Sequence, residues 1–225
     1  MRTALLIAAA TALAMPAFAQ SPRIVTEEMM VPASDPGIEI YVRNKRPADM
    51  TSFRPERTVL YVHGATYPAS TAFDLKLDGL SWMDYIAARG YDVYLLDLRG
   101  YGKSTRPKEM SEAAANNAPL VRNDTAIKDI GSVVDFIRQR RGVPRVNLIG
   151  WSWGTRIMPL YTVGNNDKVN KLVLYAPIWN LKAPPPISGS GAYRTVTRDA
   201  ARQRGARGIP AVSYTHLTLP TNREV

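Results

Sequence analysis

Residues 145–163 read RVNLIGWSWGTRIMPLYTV, and this stretch decides the fold. Arg145 to Ile149 is a short apolar run containing Val and Ile, the composition of a strand buried on both faces. From about Ser152 to Val163 the pattern turns helical. Between the two stands Gly150-Trp151-Ser152-Trp153-Gly154, a match to G-x-S-x-G. Alone, that pattern is weak, since three fixed positions recur by chance. Directly after a buried strand and directly before a helix it is strong. A serine hydroxyl is a poor nucleophile unless it is held out on a sharp turn, beside a base, at a helix N-terminus. The flanking glycines leave room for that turn and for close packing of strand against helix. Ser152 is the candidate nucleophile; a plain turn with a capping serine is the lesser reading.

Working outward, three more runs share the strand character: Thr58 to Val62 (TVLYV), Asp92 to Leu98 (DVYLLDL) and Lys171 to Ala176 (KLVLYA). All are apolar on both faces, as strands inside a parallel sheet must be when helices cover each side. Helical patterns lie between them. Leu80 to Arg89 carries apolar residues at Leu80, Met83, Ile86 and Ala87 and stops at Gly90. Asp124 to Arg141 lines up Ile127, Ile130, Val133, Val134 and Ile137 on one face. Arg138, Arg140 and Arg141 crowd its C-terminal end, where the helix dipole favours cations, and Gly142 ends it. Strand and helix alternate, so the class is α/β, with a mostly parallel central sheet flanked by helices. Arg23 to Met30 and Ile38 to Arg43, separated by Asp35-Pro36-Gly37, suit an antiparallel start to that sheet. After Pro177 the pattern changes. Ala183-Pro184-Pro185-Pro186 and Ser188 to Gly191 form a linker, and Ala192 to Arg207 reads as a separate helical insert.

Two loops at strand ends carry further chemistry. His63-Gly64-Ala65-Thr66 follows the TVLYV run. Acyl transfer builds negative charge on oxygen, and fixed backbone N–H groups stabilise it. One donor is expected from Trp153, the residue after the serine, and the other from Ala65. His63 is tempting as a base, but a structural role in its loop is the better expectation. In Asp97-Leu98-Arg99-Gly100-Tyr101-Gly102-Lys103-Ser104, Asp97 and Arg99 are expected to fix a loop rather than to react.

A strand ending His-Gly-x, a strand ending Asp-x-Arg-Gly-x-Gly-x-Ser, and a strand–GxSxG–helix, in that order, resemble the α/β-hydrolase superfamily over roughly Arg23 to Pro210. The resemblance implies a hydrolase fold with a helical cap inserted after the sixth strand, where the proline linker and Ala192 to Arg207 sit. It implies Ser152 as nucleophile, oxyanion donors at Ala65 and Trp153, and Trp151 at the substrate. Trp153, Tyr67 and Trp82 are further aromatic candidates that serve equally well as core. The implied reaction is cleavage of an ester or amide through an acyl-enzyme on a small-molecule substrate, with no metal or organic cofactor. A proline-iminopeptidase-like peptidase, an acyltransferase and a non-catalytic binding protein on the same fold are the alternatives. Dehalogenase-type chemistry would want Asp where Ser152 stands.

The family's chain order is Ser, then Asp or Glu, then His. After Ser152 the chain has Asp167, Asp199, Glu224 and His216. Asp167 precedes the KLVLYA strand, which puts it at the wrong edge of the sheet, and Asp199 falls in the insert. His216 lies in Val212 to Thr221 (VSYTHLTLPT). Read as codons GTC TCT TAT ACA CAT CTG ACG CTG CCG ACG, that segment is similar to a transposase-type sequencing adapter. The expectation is a chain that divides into a leader (1–19), an incomplete hydrolase core (20–180), the start of a cap (181–211) and a non-native tail (212–225). On this reading the catalytic acid and histidine are absent, and the fragment is inactive.

Composition fits an exported globular protein. Arg2, the apolar run Ala4 to Ala14 and the small-x-small Ala17-Phe18-Ala19 read as a signal peptide, cut before Gln20, which suggests a bacterial periplasm. No later stretch is apolar enough to span a bilayer. Cysteine is absent, which excludes disulfides and a Cys nucleophile. The net charge is +10, and Arg194, Arg198, Arg202, Arg204 and Arg207 concentrate part of it. No nucleic-acid motif accompanies them, so a solvated helix face is expected.

Overall fold

The computed structural model describes residues 22–177 and 191–205. Residues 1–19 (expected to be a leader), the proline linker and the segment containing His216 lie outside them. In chain order the regular elements are β1 (Ile24–Pro32), β2 (Glu39–Pro47), β3 (Thr58–Val62), α1 (Ala69–Ala72), α2 (Trp82–Ala87), β4 (Asp92–Leu96), α3 (Asn123–Arg141), β5 (Val146–Trp151), α4 (Gly154–Gly164), β6 (Val169–Tyr175) and α5 (Arg198–Gly205).

The six strands form one sheet in the order β1-β2-β4-β3-β5-β6. β1 and β2 pair antiparallel around the Asp35-Pro36-Gly37 turn, and β2 runs antiparallel to β4. From β4 across β3 and β5 to β6 every pairing is parallel. β3 and β4 sit at the centre, and all ten of their residues are buried. Two-sided burial is what their unbroken Val, Leu and Tyr content predicts.

Two cores result, one on each face. On one face Leu60, Val62, Tyr94, Leu96 and Leu148 pack with Ile130, Val133, Val134 and Ile137 of α3 and with Ile157, Met158 and Tyr161 of α4. On the other, Tyr61, Val93 and Leu95 pack with Phe73 after α1 and with Met83 and Ala87 of α2. Each fully buried side chain of this size is worth about 1.5–3 kcal/mol. α2 is held at its start by a capping box, with Ser81 Oγ accepting from the Asp84 N–H and the Asp84 carboxylate accepting from the Ser81 N–H. α3 stops where Gly142 turns left-handed at φ 63°.

Two expectations are altered. β6 is half-covered: its side chains alternate, with Val173 and Tyr175 each about half exposed. α4 covers one side of it, through Leu172, but among the described residues it is an edge strand with no helix over Val173. The insert is less helical than its composition suggests. Residues 191–197 are irregular, and the helix begins only at Arg198.

Candidate active site

Ser152 stands in the two-residue gap between β5 and α4, with φ at +54°. A left-handed backbone costs a residue with a Cβ about 1–2 kcal/mol, so something must hold it there. Its N–H donates to the Tyr175 carbonyl at the end of β6, at 3.1 Å. Its carbonyl accepts from the Thr155 N–H at 2.9 Å and from Thr155 Oγ1 at 2.6 Å. The turn is thus clamped on both sides by main chain.

The flanking glycines are steric necessities. A Cβ on Gly150 would lie 2.5 Å from the Gly154 carbonyl oxygen, and one on Gly154 would lie 2.6 Å from the Val62 oxygen and 3.0 Å from the His63 oxygen. Backbone meets backbone at both places, so neither clash can be relieved by turning a side chain.

The loop after β3 lies directly against the serine. A Cβ on Gly64 would fall 2.9 Å from Ser152 Cβ and 3.3 Å from Ser152 Oγ. Here the sequence His63-Gly64-Ala65 shows its purpose. The Leu98 N–H donates to His63 Nε2 at 3.0 Å, and His63 Nδ1 lies 2.6 Å from the Gly64 carbonyl oxygen. A nitrogen that accepts from an N–H carries no proton, so the proton sits on Nδ1 and is donated to Gly64. Burial pushes the His63 pKa down, against the pull of the Gly64 carbonyl and Asp97, and the ring stays neutral. With both nitrogens engaged and the ring fully buried, His63 is a structural part, as its position in the loop suggested. Because the peptide group is planar and trans, fixing the Gly64 carbonyl toward His63 turns the Ala65 N–H to the opposite side. Among the described residues no hydrogen bond is made by the N–H of Ala65 or by that of Trp153.

The loop after β4 is built as its charges predicted. Asp97 is buried and accepts from the Ser70 N–H at 3.0 Å, Ser70 Oγ at 2.7 Å and the Lys103 N–H at 3.3 Å. Arg99 makes a two-toothed contact with buried Asp129 of α3 and reaches Asp35 at 2.7 Å. Both side chains are spent on holding loops.

The aromatic candidates separate. Trp151 packs with the α2 side of the sheet, whereas Trp153 packs with the α3 side and donates its indole N–H to Asn123 Oδ1 at 2.9 Å. They straddle Ser152 rather than forming one wall. Trp82 is partly exposed and meets Phe73, Tyr61 and Tyr175 edge-on, at ring distances of 5.1–6.0 Å. Tyr67 is exposed. Asp167 lies in the turn before β6, at the strand end remote from Ser152. Asp199 is in the first turn of α5.

Two residues at the site escaped sequence reading. Tyr101 donates its hydroxyl to the Ala65 carbonyl at 3.1 Å, and Arg194 Nη2 donates to the same carbonyl at 3.2 Å and to Thr66 Oγ1 at 2.8 Å. Tyr101 stands between two glycines in a motif read only for its charges, and its aromatic identity was the overlooked signal. Arg194 had no local signal, because its partners are 128 and 129 residues away.

Among the described residues no cluster of three or more His, Asp or Glu side chains could hold a metal ion, and no helix is long and apolar enough to cross a membrane. The arrangement presents a serine on a left-handed turn, packed against the Gly64 turn. A serine held out on such a turn has the geometry of a nucleophile.

The family model described as the alpha/beta hydrolase fold matches residues 57–224. The match runs through the stretch that the codon reading sets apart. No curated protein matches the chain. Among solved structures, potato (Solanum tuberosum) epoxide hydrolase I is similar with 21% identity and a TM-score of 0.50, over 71% of this chain and 42% of that enzyme. An epoxide hydrolase from Vigna radiata gives 21% and 0.47, over 66% of this chain and 38% of that one. A protein described as a predicted CIB-like hydrolase from Thermoplasma acidophilum gives 18% and 0.49, over 70% and 65%. This chain therefore spans about two fifths of the length of those epoxide hydrolases.

Proposed function

This chain belongs to the alpha/beta hydrolase fold family, and on that premise we propose that it is the front part of a serine hydrolase that cleaves an ester or amide bond. Ser152 Oγ attacks the substrate carbonyl and loses its proton to a base. The tetrahedral oxyanion is held by the N–H groups of Ala65 and Trp153, and it collapses to an acyl-enzyme as the alcohol or amine leaves with a proton. Water then attacks the acyl group and returns the serine. Trp151 flanks the acyl position. The observation that carries this reading is the forced left-handed turn of Ser152 against Gly64. Backbone strain of that kind persists where an exposed hydroxyl is worth its cost.

His63 cannot be the base, since both its nitrogens are bonded within the fold. We propose that the acid and histidine are encoded beyond residue 211, that residues 212–225 are not part of the natural protein, and that residues 1–19 direct export to a periplasm. Sequencing the gene past codon 210 tests the first two. It should encode at least two further βα units, carrying an Asp or Glu and then a His; a natural stop codon there overturns both.

The activity is tested with a serine-reactive fluorophosphonate on the complete gene product, which would carry the base that this chain lacks. Ser152 should label, and S152A should not. Equal labelling of the two proteins rejects the serine mechanism and favours a binding protein on the same fold.

A further inference from the structure

We propose that Arg194 is a positioning residue that ties the segment before α5 to the oxyanion loop and holds that loop in register with Ser152. The inference rests on the serine-hydrolase reading above, because it assigns Arg194 a part in that site.

The segment is placed by its own anchors. The Ala192 N–H donates to the Ala114 carbonyl at 2.8 Å, and the Ala192 carbonyl accepts from the Leu120 N–H at 3.4 Å. Tyr193 donates its hydroxyl to the Glu112 carbonyl at 2.8 Å. These contacts fasten residues 192 and 193 onto the loop that follows β4. They leave Arg194 partly buried beside the loop that follows β3, not on the solvated helix face expected of it.

What Arg194 bonds there is specific. Its Nη2 bridges the Ala65 carbonyl and Thr66 Oγ1, and the Tyr101 hydroxyl meets the same carbonyl. The Gly64 carbonyl is already held by His63 on the other side of Ala65. Both peptide groups flanking the Ala65 Cα are thereby fixed through their carbonyls. A trans peptide carries its N–H opposite its carbonyl, so the direction of the Ala65 and Thr66 donors is set by His63 on one side and by Tyr101 and Arg194 on the other. Preorganised donors are worth most when they need no reorientation as charge develops. A planar guanidinium suits the task, because one nitrogen can serve two acceptors without losing its charge.

Amide NMR relaxation on the full 225-residue chain reads the tie without requiring activity. R194M should lower the backbone order parameters of Ala65 to Tyr67 from about 0.85 toward about 0.6 and leave α3 unchanged. R194K, which keeps a cation but not the two-acceptor geometry, should fall between. Should R194M fail to fold, T66V removes one acceptor and serves in its place. Fluorophosphonate labelling of the complete gene product, which would carry the base that this chain lacks, adds the functional arm. There R194M should lower the maximal labelling rate with the half-saturating concentration unchanged, and R194K should restore part of it. Parent-like order parameters at Ala65 to Tyr67 in both R194M and T66V, or an unaltered labelling rate, overturn the proposal. If the complete parent itself does not label at Ser152, the hydrolase reading falls, and relaxation alone then decides whether Arg194 holds the loop.

Discussion

Leu98 and His63 are joined by a buried hydrogen bond in which the Leu98 N–H donates to Nε2 at 3.0 Å, and this bond fixes where the histidine keeps its proton. His63 in turn grips the Gly64 carbonyl. H63A would leave a donor at Leu98 and an acceptor at Gly64 unpaired in a site with no access to water. Each orphaned group costs about 1–3 kcal/mol, so the variant should lose roughly 2–6 kcal/mol. Urea unfolding of the parent and H63A measures it. A loss below about 1 kcal/mol would mean that the ring is not the bridge described.

The same histidine predicts a pH dependence. Burial lowers its pKa in the folded protein below the ordinary value of 6.5. Between the two values the unfolded chain binds the proton and the folded one does not, so protonation favours unfolding. The contribution of His63 is therefore fully present above pH 6.5 and declines as the pH falls from there toward the folded value. Unfolding free energies measured from pH 8 to 5 should fall with acid, and the slope near pH 6 should be flatter in H63Q, which cannot titrate.

The close approach of backbones at the turn makes a steric prediction. G154A would put a methyl 2.6 Å from the Val62 carbonyl oxygen. Neither strand β3 nor helix α4 can retreat without loosening the core on its side, so the substitution should cost about 1–3 kcal/mol or more. G164A at the other end of the same helix, where a Cβ meets nothing within 4 Å, is the matched control and should change stability by less than about 1 kcal/mol.

Much of this architecture was written locally. Thr58 to Val62 became β3 without adjustment, and Asp124 to Arg141 is α3 to within one residue. β3 is buried throughout, as its unbroken apolar run implies, and α3 buries the face that its apolar periodicity marks. KLVLYA has the same composition as β3, yet Val173 and Tyr175 are half exposed. Composition records what a strand can bury, and only its neighbours determine what it does bury. The sharp turn at Ser152 was legible in a five-residue motif, because turn geometry is a local property. The place of Arg194 was not, since its partners lie on a loop more than a hundred residues earlier. The opposed directions of Trp151 and Trp153 were within reach of sequence reasoning, because Trp151 ends a strand and Trp153 opens a helix.

The open edge gives a solubility prediction. Among the described residues β6 is an edge strand that presents Val173 and Tyr175, a surface on which another strand can add. V173K places a charge on that edge at a position already about half exposed. It should reduce light scattering of concentrated protein severalfold while moving the urea midpoint little, since few contacts are lost. Equal aggregation of the parent and V173K would place the sticky surface elsewhere.

The strain at Ser152 can itself be measured. At φ +54° an alanine retains the steric penalty, whereas a glycine escapes it. S152A and S152G both remove the hydroxyl, and in the complete gene product both should abolish fluorophosphonate labelling. Their stabilities should differ in the direction opposite to the usual one. Glycine ordinarily destabilises relative to alanine because the unfolded chain gains freedom. Here the relief of about 1–2 kcal/mol of left-handed strain should offset that, leaving S152G at least as stable as S152A in urea. A turn that is merely tolerated, without strain, would show S152G weaker by about 0.5–1 kcal/mol. The comparison isolates the backbone from the hydroxyl, so it asks of this one residue whether the fold holds it in a conformation that its own side chain opposes.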